Sequence, residues 1–132
     1  MNTCYGSSVK PVSKPTVTFR IDRDILMATV EGKVPLQEAL RIWEEIIQNA
    51  AAHRVRRILA DCLRAEAQLS TADRYHLGQA SAKEVQSRKI GIRFAMVGVP
   101  PTLDGFAALV AQNYGIDISV FATVQEALDW LQ

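Results

Sequence analysis

The sequence predicts an α/β domain: a mainly parallel five-stranded sheet with one antiparallel edge strand, and four helices. Three observations predict it. Short alternating or apolar runs of strand type recur between stretches with three- and four-residue apolar spacing. The first two strand-like runs are separated by only Arg23-Asp24, as in a hairpin. Helix-start signals at Pro35, Ser70, Thr102 and Thr123 precede the helical stretches. The expected order is β-β-α-β-α-β-α-β-α, with right-handed crossovers joining the parallel strands.

In the first strand, Thr16 to Asp22, Val17, Phe19 and Ile21 alternate with Thr18, Arg20 and Asp22. That pattern suits a half-buried edge. Ile25 to Glu31 is more uniformly apolar, so it belongs further inside the sheet, and Gly32 is expected to end it. Pro35 opens a helix where its missing N–H costs nothing. Leu36, Leu40, Trp43, Ile47 and Ala50 form its apolar stripe, and Glu38, Arg41, Glu45 and Gln48 its outer face. Arg54, Arg56 and Arg57 collect at its C-terminus, where positive charge complements the helix dipole.

Ile58-Leu59-Ala60 is the centre of strand three, which is expected to stop near Asp61; Arg64 to Leu69 reads as a loop. Ser70 and Asp73 have capping-box spacing at the start of a helix running to about Arg88. Its apolar stripe is weak, with Tyr75, Ala82 and Val85 on it and Leu77 nearby, while Gly78, Gln79, Ala80, Ser81 and Ala82 fill its middle. Strand four covers Ile92 to Val99. Thr102 is placed to cap the next helix, with Leu103, Phe106, Ala107, Val110 and Tyr114 on its inner face and Gly115 just past its end. Ile116 to Phe121 is strand five, and Thr123 with Glu126 starts a short last helix.

Composition bounds the function. The 132 residues suit one domain, residues 16–132, behind a tail over residues 1–15. A formal net charge of +1 provides no field for nucleic acid or an anionic membrane. Cys4 and Cys62 do not make a disulfide framework, and residues 1–15 have no apolar signal-peptide core, so a reducing cytoplasm is expected. No apolar run approaches the roughly 20 residues that span a bilayer.

The element order and lengths from Val17 to Leu131 resemble the STAS fold of anti-sigma factor antagonists, the SpoIIAA-like superfamily. Local features support this: the strand ILAD ends in Asp61, and Ser70-Thr71 follows nine residues later at a helix start. In the phosphorylated members a D-S-S-G pattern stands there. This chain has Leu69-Ser70-Thr71-Ala72, keeping the hydroxyls without the acidic residue or the glycine. The closing Ala127-Leu128-Asp129-Trp130-Leu131 is similar to divergent STAS/SEC14-like small bacterial proteins.

The candidate chemistry is sparse. Ser70 and Thr71 are ordinary helix-cap residues; the resemblance makes them candidate phospho-acceptors, with Arg64 and Arg74 near enough in sequence to pair with a phosphate. Asp61 is expected to accept backbone N–H groups at the strand end. The loop from Gly98 to Thr102 should share the carboxyl edge of the sheet with Asp61, where ligands collect in parallel sheets. His53 and His76 lack metal-ligand spacing, and no nucleophile–base pair or cofactor loop stands out, so no catalytic residue, metal or cofactor is expected. The leading expectation is a non-enzymatic regulatory or protein-interaction domain. Its surface would be the 64–88 loop and helix, including Arg64, Arg74, Gln79, Lys83 and Gln86, with a protein partner or a second copy as the binder. The alternatives are a SEC14-like module for a small apolar molecule or lipid, and a phosphorylation-switched anti-sigma factor antagonist.

Overall fold

A computed structural model describes residues 14–132. Cys4 and nearly all of the expected tail lie outside the described residues. Strand β1 (Thr16–Asp22) and β2 (Ile25–Pro35) form an antiparallel hairpin, with Thr16 opposite Glu31 and Asp22 opposite Ile25. Arg23 and Asp24 at its turn have φ of 53° and 64°, the left-handed pair that a two-residue hairpin with native twist requires. β3 (Arg57–Gln68), β4 (Arg93–Val97) and β5 (Asp117–Phe121) follow in parallel, and the sheet order is β1-β2-β3-β4-β5. The predicted fold class is the observed one.

Two expectations about length are corrected. β2 does not end at Gly32, and the segment from Arg64 is not a loop. Both strands continue, pairing Glu31 with Arg64 through to Pro35 with Gln68. Gly32 carries the chain through at a φ of +104°, and a Cβ there would lie 3.3 Å from the Pro15 backbone. The extension leaves a two-stranded ribbon projecting past β4, whose last residue, Val97, lies beside Asp61. Strand four is correspondingly shorter than the apolar run that predicted it.

Alternation divides the sheet into two faces. Leu26, Ala28, Ile58, Ala60, Phe94 and Ile118 belong to a large core with α1 (Leu36–His53), α2 (Thr71–Arg88) and α3 (Phe106–Asn113). Ile25, Leu59, Ala95 and Val97 belong to a smaller one beneath α4 (Val124–Leu131). On α1, Trp43, Ile47 and Ala50 are buried as expected, joined by Ile42 and Ile46, while Leu36 and Leu40 are only half-buried. Arg41 bridges Glu38 and Glu45 on the outer face. Trp43 stacks on Phe94, with ring centroids 4.6 Å apart.

Of the basic run, Arg54 does stand at the C-terminal cap of α1, whereas Arg57 has a different use from the one expected. Arg57 donates to the Leu131 carbonyl at 3.3 Å, and Arg93, further along, donates to the Trp130 carbonyl at 2.9 Å. Both therefore satisfy the C-terminal end of α4 rather than α1. The Arg93 guanidinium also lies 3.8 Å from the centre of the Trp130 ring, which tilts against Phe121 and covers the sheet. At the other end of α4, Thr123 accepts the Glu126 N–H as predicted. Thr102 does not cap α3. That helix starts later, from Gly105 at a φ of +86°, with Asp104 accepting the Phe106 N–H. Tyr114 is exposed rather than inward, and Gly115 follows the helix at a φ of +92°.

Candidate functional site

The sequence-selected residues fall into two groups, Asp61, Gly98, Thr102 and Arg74 at the carboxyl edge of the sheet, and Gln79, Lys83 and Gln86 on the outer side of α2. Asp61 accepts the Leu63 N–H at 3.0 Å, the expected structural role. The Gly98 N–H bonds the Phe121 carbonyl, and its Cα is so close to Leu103 that a Cβ would come within 2.7 Å. Thr102 uses its hydroxyl on the projecting ribbon. It donates to the Ala65 carbonyl at 3.1 Å and accepts from the Ala67 N–H at 3.3 Å. One side chain thus stands in for the neighbouring strand that β4 no longer supplies.

Arg74 is the residue most misplaced by sequence reasoning. It is 7% exposed, and its guanidinium points away from Ser70. It donates to the Pro101 carbonyl at 2.7 Å and the Thr102 carbonyl at 2.9 Å, with Asp104 3.6 Å from Nε. A buried cation needs such partners to offset its desolvation. Arg74 is therefore neither a surface contact nor positioned to pair with a phosphate on Ser70. The signal was present in the spacing: Arg74, Gly78, Ser81, Ala82 and Val85 are the buried positions of α2, a helical stripe that begins with an arginine. Tyr75, assigned to that stripe, is instead 47% exposed.

The small middle of α2 is consumed within the chain. At Gly78 a Cβ would fall 2.5 Å from the Ala107 carbonyl and 2.8 Å from Val110. The weak face that suggested close approach by another molecule is where α3 packs. Ser70 accepts the Asp73 N–H and Asp73 accepts the Ser70 N–H, each at 3.0 Å, completing the capping box. Ser70 and Thr71 are exposed, and Arg64 pairs with Glu31 at 3.3 Å.

On the outer side of α2 a polar aromatic patch forms. Gln79 donates to the Tyr114 hydroxyl at 3.1 Å and Gln86 to the Tyr114 carbonyl at 2.6 Å. Tyr75 lies beside Tyr114, and the interaction of the two hydroxyls raises Tyr75 above the ordinary phenol range; the same interaction, then Gln79 and the Lys83 charge, lower Tyr114 below it. Tyr114 at the end of α3 is the residue sequence reasoning missed, since it was assigned to the core.

Beneath α2 lies a partly open, almost wholly apolar cavity of about 100 Å³. Its walls come from α1, α2, the inner face of the sheet, the ribbon and the 102–108 segment. Trp43 lines it, and its Nε1–H is buried without a hydrogen-bond partner. Such an orphan donor costs about 1–3 kcal/mol. Cys62 is also in the lining; burial, and secondarily the Asp61 charge, push its thiol up to about 12, so it is not a reactive thiolate at neutral pH. His53 bonds the Asn49 carbonyl, and among the described residues no group of three or more His, Cys, Asp and Glu side chains could hold a metal. Among the same residues no helix is long and apolar enough to cross a membrane.

No protein-family model matches the chain, and no curated protein matches it significantly. Solved structures do. An anti-sigma factor antagonist from Mycobacterium paratuberculosis is 16% identical, with a TM-score of 0.63 over 92% of this chain and 96% of that one. An uncharacterised Shewanella loihica protein with a SpoIIAA-like fold is 19% identical, with a TM-score of 0.57 over 94% and 98%. The phosphorylated form of the Bacillus cell-fate determinant SpoIIAA is 18% identical, with a TM-score of 0.53 over 89% and 100%. The fold of this chain is SpoIIAA-like.

Proposed function

We propose that this chain is a non-enzymatic regulatory domain that acts by binding another protein through the outer face of α2 and the end of α3. The observation that carries this reading is the patch of Tyr75, Gln79, Lys83 and Tyr114. Tyr75 on α2 and Tyr114 at the C-terminal cap of α3 are exposed beside Lys83, and Gln79 holds the Tyr114 hydroxyl in place. Tyrosines held in this way provide contact area at little entropic cost, and they dominate many protein interfaces. Lys83 favours a partner surface that presents a carboxylate. The anti-sigma factor antagonists of the same fold are named for acting on another protein, which supports the same direction. Gln79, Lys83 and Gln86 remain in the proposed surface; Arg64, paired with Glu31 on the ribbon, is left out of it, and Arg74 is removed from it by burial.

Affinity capture from the native cell, read by mass spectrometry, tests this. Wild type is compared with a Tyr75→Ala/Lys83→Glu/Tyr114→Ala variant. One protein retained by wild type and lost with the variant is expected. Capture unchanged by the variant would overturn the surface assignment. Sedimentation equilibrium separates self-association: a wild-type dimer split by the same variant would make a second copy the partner. A Ser70→Asp/Thr71→Glu chain tests the phospho-switch separately. Asp still caps the helix, so a loss of partner would report the added charge.

A further inference from the structure

The cavity beneath α2 carries an inference independent of the protein-binding surface. We propose that it is a preformed site for a small, uncharged hydrocarbon group, selected by volume and an apolar lining and held without a hydrogen bond. This makes specific, and limits in size, the apolar-ligand alternative raised by the sequence.

The walls are braced. Trp43 stacks on Phe94, and both line the cavity. The Thr102 hydroxyl ties the ribbon wall at Ala65 and Ala67. Arg74 holds the Pro101 and Thr102 carbonyls. Gly78 lies so close to α3 that a Cβ would fall 2.5 Å from the Ala107 carbonyl. Collapse of the cavity would have to break one of these contacts, and a site that cannot relax keeps its volume. The missing bulk is that of Ala39, Ala60, Ala65, Ala67 and Ala108, which all stand on the walls.

The lining sets the chemistry. Ser81, Arg74, Thr102 and Asp104 border the cavity, yet the surface it exposes is almost wholly apolar. Arg74 and Thr102 are turned to the partners just named, and Asp104 accepts the Phe106 N–H. A buried water needs two to four polar partners, so an apolar cavity of this kind stays dry. A charged or strongly polar ligand would lose its hydration on entry and gain no replacement.

Volume sets the size. The cavity holds about 100 Å³. Scaled from the ~150 Å³ apolar cavity that takes up the six carbons of benzene, this admits about four or five carbon atoms. It is far below the ~300 Å³ typical of pockets for drug-sized ligands, so a SEC14-like lipid is not enclosed. Because the cavity is partly open, the group is either a free small molecule or the end of a larger one whose remainder stays outside.

The test uses the full chain with ¹³C-labelled alanine methyl groups. Ala60 and Ala108 report on the cavity; Ala95 and Ala127, in the core beneath α4, are the internal control. Cyclopentane should shift the first pair saturably and leave the second pair unmoved. Cyclopentanone, of similar size, should bind roughly tenfold more weakly, since its carbonyl is buried unpaired. Ala60→Leu and, independently, Ala39→Leu should weaken cyclopentane binding at least ~10-fold, with the Ala95 and Ala127 resonances in place as evidence of an intact fold. 1-Pentanol separates the two sources. Shifts of the same methyl groups support the end of a larger amphiphile, and cyclopentane binding without them supports a free small hydrocarbon. No saturable shift with cyclopentane, a ketone bound as tightly as the hydrocarbon, or binding undiminished in both filled variants would overturn the proposal.

Discussion

The two faces of the sheet are packed to different standards. The short helix α4 covers a compact core in which Leu59, Ala95, Val97, Ala127 and Leu131 are each no more than 1% exposed, and Arg57 and Arg93 complete the helix end. Under α1, α2 and α3, a much larger core leaves about 100 Å³ open and one indole N–H unpaired. The better-covered face is therefore the less perfectly filled one. Small residues explain both outcomes. On α2 they let α3 approach at Gly78, and on the ribbon and the inner face they leave the floor of the cavity hollow. The α4 face is small and closed, and the larger face keeps the open volume.

Substitutions on the two faces should have opposite consequences. Leu131→Ala removes a fully buried side chain from the tight face and should cost ~2–5 kcal/mol in a urea titration. Ala60→Val on the cavity wall should be neutral or stabilising by up to ~1 kcal/mol; a comparable loss at both sites would mean that the cavity does not exist in solution. Arg74→Met should fall just below the first, at ~2–4 kcal/mol, because it strands the Pro101 and Thr102 carbonyls. Ser70→Ala should cost only about 1 kcal/mol, the usual value of an N-cap.

The smallest expected effect near neutrality is at Cys62. Its folded-state pKa is raised to about 12 by burial, whereas the unfolded thiol ionises near 9. The contribution is therefore fully present below about pH 9 and lost as the pH rises toward about 12. A Cys62→Ala chain should show a flatter decline of stability over that window. If wild type and variant declined in parallel, the thiol would not be shielded by the cavity.

What the sequence determined by itself was local. The order of elements, the Arg23-Asp24 reversal, the Ser70 and Thr123 caps and the glycine after α3 depend on the conformational preferences of a few neighbouring residues. The pairing of distant segments was not legible in that way. Glu31 to Pro35 and Arg64 to Gln68 lack a continuous apolar run, yet they are strands because each supplies the other's backbone hydrogen bonds. Arg74 reads as a surface cation until Pro101, Thr102 and Asp104 are brought beside it. Tyr114 reads as core until α3 begins three residues later than Thr102 suggests and leaves it beside Tyr75 and Gln79. The cavity belongs to no segment. It is the volume left where small side chains from several elements converge, and only tertiary packing decides whether such a volume closes.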